Sequence, residues 1–207
     1  MNQDKYDEFY EVEQNITEKY GLSTKGINMM YDRKLITAQV NKDGERLYLY
    51  RQLKTEETIS VYHRDNARYT IYTIDGEYAG YIDAFLSKQD EIEIMYLSMI
   101  KNKGDMVISL EEVLKDIFIN KSFDGLYVNT QKVPSKIKRA YLAISKDNIA
   151  SQKVAEKSGF ERKVLETGNF KYIMSEDRFM QILKFRNQQR LLSQPYSRKV
   201  EKEEQLL

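Results

Sequence analysis

Two Asp-Gly pairs constrain the fold of this chain more than any other feature. Each pair separates two runs rich in β-branched and aromatic residues, and both residues of such a pair tolerate the positive φ angles of a two-residue hairpin turn. The runs are residues 35–40 and 47–50 around Asp43-Gly44, and residues 68–74 and 77–85 around Asp75-Gly76. A further strand is predicted at residues 91–100, so the middle of the chain predicts an antiparallel meander.

The second half of the chain alternates between helical and strand periodicity. A helix is predicted at residues 106–120, with one apolar face made of Val107, Leu110, Val113, Leu114, Ile117 and Phe118. The elements that follow are strand 141–144, helix 149–158, strands 163–167 and 170–174, and helix 176–192. This order predicts an α/β (α+β) fold with a mixed, mostly antiparallel central sheet flanked by helices.

These elements divide the chain into three parts. Residues 1–45 are predicted to form a helix and strand extension that packs on the α/β domain of residues 46–176, and residues 177–207 to form a C-terminal helix and charged tail. The N-terminal helix has the alternative of a partner-binding arm, and the C-terminal helix has the alternative of a homodimer contact. Residues 124–136 are expected to insert an additional strand.

Composition excludes several classes of function. The absence of cysteine excludes thiol catalysis, disulfides and cysteine-ligated zinc. With 33 basic and 32 acidic residues, the chain has no overall electrostatic attraction to nucleic acid or an anionic membrane, which also disfavours nucleic-acid binding by the basic run 132–139. His63 is the only histidine and no Gly-x-Ser-x-Gly elbow occurs, so neither a His-rich metal site nor a Ser-His-Asp hydrolase is expected.

The chain carries no segment that predicts membrane insertion or secretion. No apolar run approaches the length of a membrane helix, and the N-terminus is acidic and polar where a signal peptide is basic and then apolar. We therefore predict a cytoplasmic protein.

Residues 145–160 carry the strongest functional signal. After the apolar run 141–144 come Asn148, Ser151 three residues later, and then Gly159 and Phe160. This order resembles the strand-Asn-helix-Gly-Phe segment of the GNAT acetyltransferase superfamily, in the form typical of the ribosomal-protein N-acetyltransferases. The resemblance covers residues 46–176. It implies an N-acetyltransferase that uses acetyl-CoA as cosubstrate and a primary amine as acceptor, either a protein N-terminus or a small molecule.

The same resemblance implies a cofactor-binding loop before the helix at 106–120. Relatives carry Arg/Gln-x-x-Gly-x-Gly/Ala there, and backbone N–H groups at the start of a helix hold the pyrophosphate. The match is partial: Lys101 and Gly104 fit and Lys103 adds positive charge, but Asp105 is acidic and Met106 replaces a small residue. The residues that the resemblance implies for cofactor binding are Ile100, Lys101, Lys103, Gly104, Asp105, Met106, Asn148 and Ser151.

Catalytic candidates lie on the predicted strand 91–100 and on the helix after Asn148. Glu91 and Glu93 point to one face of the strand, so either carboxylate is a candidate general base, and Tyr96 is a further candidate. The alternative for Glu91 and Glu93 is that they have no catalytic role and are the solvent-facing charges of a half-exposed strand. The resemblance implies that Ser151 protonates the CoA thiolate, because Ala155 stands where many relatives carry a tyrosine that acts as the acid. The alternative is that Ser151 is a plain helix serine.

A catalytically inactive GNAT-like binding or regulatory module is the competing hypothesis. Asp105, Met106 and Ala155 are the three departures from the family pattern that favour it.

Overall fold

The computed structural model describes residues 14, 15, 18, 32–40, 46–53, 66–88, 90–99, 104–123, 127, 128, 131, 132, 136–165 and 168–193. Several predicted features lie outside these residues: the Asp43-Gly44 turn, His63, the loop residues Ile100, Lys101 and Lys103, and the charged tail after residue 193. Most of the predicted N-terminal helix and of segment 124–136 also lies outside them.

The strands and helices follow the predicted order. The strands are β1 (Asp32–Val40), β2 (Arg46–Leu53), β3 (Asn66–Thr73), β4 (Tyr78–Lys88), β5 (Glu91–Ser98), β6 (Tyr127–Val128), β7 (Gln131–Lys132), β8 (Arg139–Ile144), β9 (Glu161–Val164) and β10 (Phe170–Ser175). The helices whose bounds fall within the described residues are α1 (Asp105–Phe118), α2 (Ile149–Lys157) and α3 (Glu176–Ser193). None of the described helices is both long and apolar enough to span a membrane.

Eight of the strands form one sheet in the order β1-β2-β3-β4-β5-β8-β10-β9. Neighbours are antiparallel throughout, except for the parallel pair β5 and β8. The prediction of a mixed, mostly antiparallel sheet is therefore confirmed. The second hairpin turns as expected, since Gly76 has a φ of 71° and its N–H donates to the carbonyl of Thr73 at 3.1 Å.

The three helices pack on one face of this sheet, which we call the helix face. Strand residues alternate between faces, and the inward set on β5 is the even-numbered one, with Ile92 and Ile94 fully buried. Phe118 of α1 lies 5.7 Å from Phe179 of α3, ring centre to ring centre, and Ala155 of α2 is buried in the same core. The opposite side, the second face, carries the odd-numbered residues of β5.

A buried ion pair joins β2 and β3 to α1. Asp116 is 2% exposed, and its Oδ2 accepts hydrogen bonds from Arg51 Nη1 and from the Tyr69 hydroxyl, each at 2.8 Å. Burial, and then the Asp116 charge, raise the pKa of Tyr69 well above its usual value, which keeps this hydroxyl a donor. No local sequence pattern predicts the pair, because its members are 65 positions apart.

Helix α3 closes the domain over the end of α2. Phe179 is buried in the core, and Arg178 Nε donates to the Gly159 carbonyl at 2.7 Å. Arg186 also pairs with Glu111 of α1. The C-terminal helix therefore packs on the helix face, while Phe185 is largely exposed.

Gly159, at the end of α2, and Gly168, in the turn between β9 and β10, form a matched test of packing. Both have positive φ, 91° and 78°, but a Cβ on Gly159 would lie 2.5 Å from Ile182 Cδ1, whereas a Cβ on Gly168 would meet nothing within 4 Å. Both alanine variants carry left-handed strain of about 1–2 kcal/mol. We expect Gly159→Ala to lower the free energy of unfolding by about 0.5–1.5 kcal/mol more than Gly168→Ala, because the end of the Ile182 side chain must leave its rotamer. Urea unfolding of the two variants measures the difference, and equal losses would contradict it.

Candidate functional site

Strands β5 and β8 pair only at their beginnings. The parallel ladder consists of three residue pairs, Glu91 with Arg139, Ile92 with Ala140, and Glu93 with Tyr141. Beyond Glu93 each strand keeps its outer partner, β5 with β4 and β8 with β10, but the described residues of the two strands pair with each other no further. An opening therefore lies between their carboxyl ends, where the facing edges of the two described strands do not pair with each other.

Both helices that follow these strands start at this opening. Helix α1 follows β5 and α2 follows β8, so their N-termini lie where the strands diverge, and the two helices contact each other. In open α/β sheets, ligands bind beyond the carboxyl ends of parallel strands. Orphan backbone N–H groups and the positive end of the helix dipole favour an anion there.

The start of α1 departs from a plain anion site. Gly104, which has no side chain, occupies the N-cap in the left-handed region with φ 74°. The next two side chains, Asp105 and Met106, are buried. The left-handed conformation explains why glycine occupies this position, since a side chain there would be strained. The Asp105 carboxylate, by contrast, brings negative charge into the first turn of α1.

Asn148 caps α2. Its Oδ1 accepts a hydrogen bond from the Ser151 N–H at 3.1 Å, which satisfies one of the orphan donors of the helix. Gln152 Nε2 donates to the carbonyls of Ser145 and Lys146 at 3.2 and 2.8 Å, which orders the preceding turn. The capping function accounts for the asparagine–serine spacing, and the Asn148 NH₂ group supplies the donors for a contact to a ligand.

Tyr96 connects β5 to α2 across the opening. Its hydroxyl donates to the Ser151 carbonyl at 3.1 Å, so two residues that the sequence suggested separately are in contact. The side chain is half-buried and packs against the core. Burial raises the pKa of Tyr96, and the smaller effect of its hydrogen bond to Ser151 lowers it.

Glu91 lies in a structural charge cluster. Its carboxylate is 3% exposed, and its Oε1 lies 3.2 Å from Lys171 Nζ and 3.8 Å from Arg139 Nε. The two cations compensate the buried charge. The alternation of β5 thus matches the predicted half-exposed strand, but Glu91 is buried on the second face rather than exposed to solvent.

Glu93 is half-buried on the second face, at the point where the strands separate. Its Oε2 accepts a hydrogen bond from the Tyr141 hydroxyl at 2.9 Å, and Lys171 Nζ lies 3.8 Å from the centre of the Tyr141 ring. Burial raises the pKa of Tyr141 and is the largest effect, the hydrogen bond to Ser87 lowers it, and the smaller effect of the hydrogen bond to Glu93 raises it.

Tyr141 and Lys171 are site residues that no sequence pattern predicts. Each lies in a run that reads only as a strand, and only the parallel register places Tyr141 beside Glu93. The same face continues along β5 with Met95 and Leu97, which are 55% and 46% exposed.

The predicted residues thus fall into three groups around the opening. Tyr96, Asn148 and Ser151 lie at the start of α2. Gly104, Asp105 and Met106 lie at the start of α1. Glu91 and Glu93 lie on the second face, on the paired part of β5.

The chain is similar to several solved structures, at low sequence identity. No protein-family model and no curated protein sequence matches the chain. It is similar to the spermidine N-acetyltransferase from Vibrio cholerae in complex with CoA and spermine, at 11% identity and a TM-score of 0.44 over 56% of this chain and 68% of that one.

Two further solved structures are similar to the chain at comparable identity, coverage and TM-score. The N-acetyltransferase PseH from Campylobacter jejuni is 14% identical, with a TM-score of 0.41 over 53% of this chain and 67% of that one. The GNAT-family acetyltransferase from Bacillus anthracis is 17% identical, with a TM-score of 0.43 over 53% of this chain and 66% of that one.

Proposed function

We propose that the protein is an acetyl-CoA-dependent N-acetyltransferase of the GNAT superfamily, which transfers the acetyl group to a primary amine. The observation that carries the proposal is the separation of β5 from β8 after three residue pairs, with the N-termini of α1 and α2 at the opening. The acceptor is a protein N-terminus or a small amine. The spacing of Asn148, Ser151, Gly159 and Phe160 supports the ribosomal-protein branch.

The opening suits the shape of the cofactor. The pantetheine arm of acetyl-CoA is extended and carries two amides, so it can hydrogen-bond to the unpaired edges of β5 and β8 as an added strand does. The pyrophosphate then lies at the start of α1, with Gly104 allowing close approach and Lys101 and Lys103 adding positive charge. Asn148 contributes its NH₂ group to the arm.

The chemistry follows from an amine held beside a thioester. Glu93 removes the amine proton, directly or through a water, while Glu91 and Lys171 keep the charge around it fixed. The amine nitrogen attacks the thioester carbonyl, and N–H groups on the unpaired edge of β5 stabilise the oxyanion. No covalent enzyme intermediate is needed, which suits a chain without cysteine.

A binding or regulatory module that has lost catalysis is the second candidate. Two observations favour it: Asp105 and Met106 are buried in the first turn of α1, and Ala155 is fully buried where many relatives carry a tyrosine. Such a module binds CoA without transferring acetyl groups.

Calorimetric titration with acetyl-CoA, and separately with CoA, tests the proposal. We expect micromolar dissociation constants for both. Asn148→Ser should weaken binding about tenfold, equivalent to about 1.4 kcal/mol, because serine keeps the cap but removes the NH₂ donors. Asn169→Ser, in the turn between β9 and β10, is the matched control and should bind as the wild type does.

Three outcomes separate the candidates. Failure of both ligands to bind below millimolar concentration would contradict the transferase and the CoA-binding module alike. Binding followed by acetylation in a screen of N-terminal peptides and small amines supports the transferase. Binding without turnover of any acceptor favours the module.

A further inference from the structure

We propose that the Tyr96 hydroxyl is the general acid that protonates the departing CoA thiolate. The inference rests on the proposed function and assigns one role within it. It is carried by the position of the hydroxyl, which reaches from β5 to the first turn of α2 across the opening.

Tyr96 belongs to the part of β5 that borders the opening. The last β5 residue that pairs with β8 is Glu93, so Tyr96 lies beyond the ladder. As an even-numbered residue it points to the helix face, toward the helices whose N-termini flank the opening. A thioester bound along the unpaired edge of β5 therefore passes the Tyr96 side chain before it reaches Glu93 on the second face.

Tyr96 suits the task better than its neighbours. Ala155 has no acidic proton, and Ser151 is an aliphatic alcohol, which is a far weaker acid than a phenol. A phenol titrates near 10 and a thiol near 8.5, so proton transfer from an ordinary phenol to the thiolate is uphill by about 1.5 pKa units, and the burial of Tyr96 adds to this difference. Transfer from an aliphatic alcohol is far more uphill. Because burial raises the pKa of Tyr96, the residue carries its proton at neutral pH.

The tetrahedral intermediate collapses, the C–S bond breaks with its electron pair on sulfur, and sulfur takes the proton of the Tyr96 hydroxyl to give the CoA thiol. The tyrosinate regains a proton from solvent, which receives the one that Glu93 removed from the amine. The Tyr96 hydroxyl can leave the Ser151 carbonyl, because a carbonyl in the first turn of α2 also accepts a hydrogen bond within the helix.

The pKa of the thiol of bound CoA tests the assignment without an acceptor. CoA labelled with ¹³C on the carbon next to sulfur reports thiol ionisation through its chemical shift across pH. A donor beside the sulfur stabilises the thiolate, so Tyr96→Phe should raise the pKa of the bound thiol by about one unit, a tenfold change in its ionisation constant. Tyr172→Phe is the matched control, because its hydroxyl also contacts α2, at Glu156 Oε1 and 3.1 Å.

Each outcome decides the inference. A raised thiol pKa in Tyr96→Phe and an unchanged one in Tyr172→Phe supports it. CoA binding with an unchanged thiol pKa in Tyr96→Phe overturns it and leaves the proposed function intact, and a shift in Ser151→Ala instead assigns the donor to the serine. Failure of the wild type to bind CoA overturns both proposals.

A second substitution keeps the test independent of folding. If Tyr96→Phe does not fold, site-specific 3-fluorotyrosine at position 96 keeps both the ring and the hydroxyl. It is a stronger acid than tyrosine and should lower the pKa of the bound thiol. An unchanged value would again contradict the assignment.

Discussion

Replacing Asp116 with alanine should lower the free energy of unfolding by about 3–5 kcal/mol, the largest loss that we expect from a single substitution. Asp116 accepts hydrogen bonds from Arg51 and Tyr69 inside the protein, and Asn120 Nδ2 donates to its other oxygen at 3.2 Å. Without the carboxylate, the Arg51 guanidinium stays buried and uncompensated. Urea unfolding followed by far-ultraviolet circular dichroism measures the loss.

Two control variants separate this effect from that of removing any ion pair. Glu161→Ala breaks the ion pair between Glu161 and Arg178, whose side chains are 58% and 39% exposed, respectively. Because this pair is exposed, the variant should lower the free energy of unfolding by at most about 1 kcal/mol. The double variant Arg51→Met/Asp116→Leu removes both buried charges and should be more stable than Asp116→Ala. A double variant that is less stable would show that the loss comes from packing rather than from the unpaired charge.

Replacing Gly80 with alanine should lower the free energy of unfolding by about 3 kcal/mol and weaken CoA binding. A Cβ at Gly80 would lie 2.2 Å from the Leu97 carbonyl oxygen, a backbone atom of β5, and φ at this position is 145°. Strain and overpacking each cost about 1–3 kcal/mol. Because the clash is with backbone, β5 must shift beside the opening. Urea unfolding and calorimetric titration with CoA measure the two effects.

Gly168→Ala is the control for this prediction. Its φ is also positive, at 78°, but a Cβ there meets nothing within 4 Å. It should bind CoA as the wild type does and lose only the strain energy. Gly80→Ala with full stability would show that β5 adapts to the added methyl group.

Much of the fold was predictable because its signals are local. The Asp75-Gly76 turn, the apolar stripe of α1 and the stop at Gly159 each depend on residues within one or two turns of each other. Gly159 confirms this, since its φ of 91° is the left-handed conformation that ends a helix. The meander from β3 to β5 followed from the order of these elements along the chain, whereas the position of β10 between β8 and β9 did not.

The candidate site was predictable only in part. Asn148 and Ser151 are three residues apart, and the sequence alone suggested that one caps the helix that contains the other. The contact between Tyr96 and Ser151 spans 55 positions, and the Glu93–Tyr141 hydrogen bond spans 48. Neither residue pair has a local pattern, because both depend on how the strands align.

The sequence by itself determined the succession of strands and helices, the absence of thiol and His-rich metal chemistry, and the capped helix at Asn148, since each depends on composition or on neighbours along the chain. Only the tertiary structure decided that Glu91 is buried between Lys171 and Arg139, that Glu93 contacts Tyr141, and that β5 and β8 separate after three pairs. The physical reason is that strand register and side-chain burial are set by long-range packing, which brings together residues that no local periodicity relates.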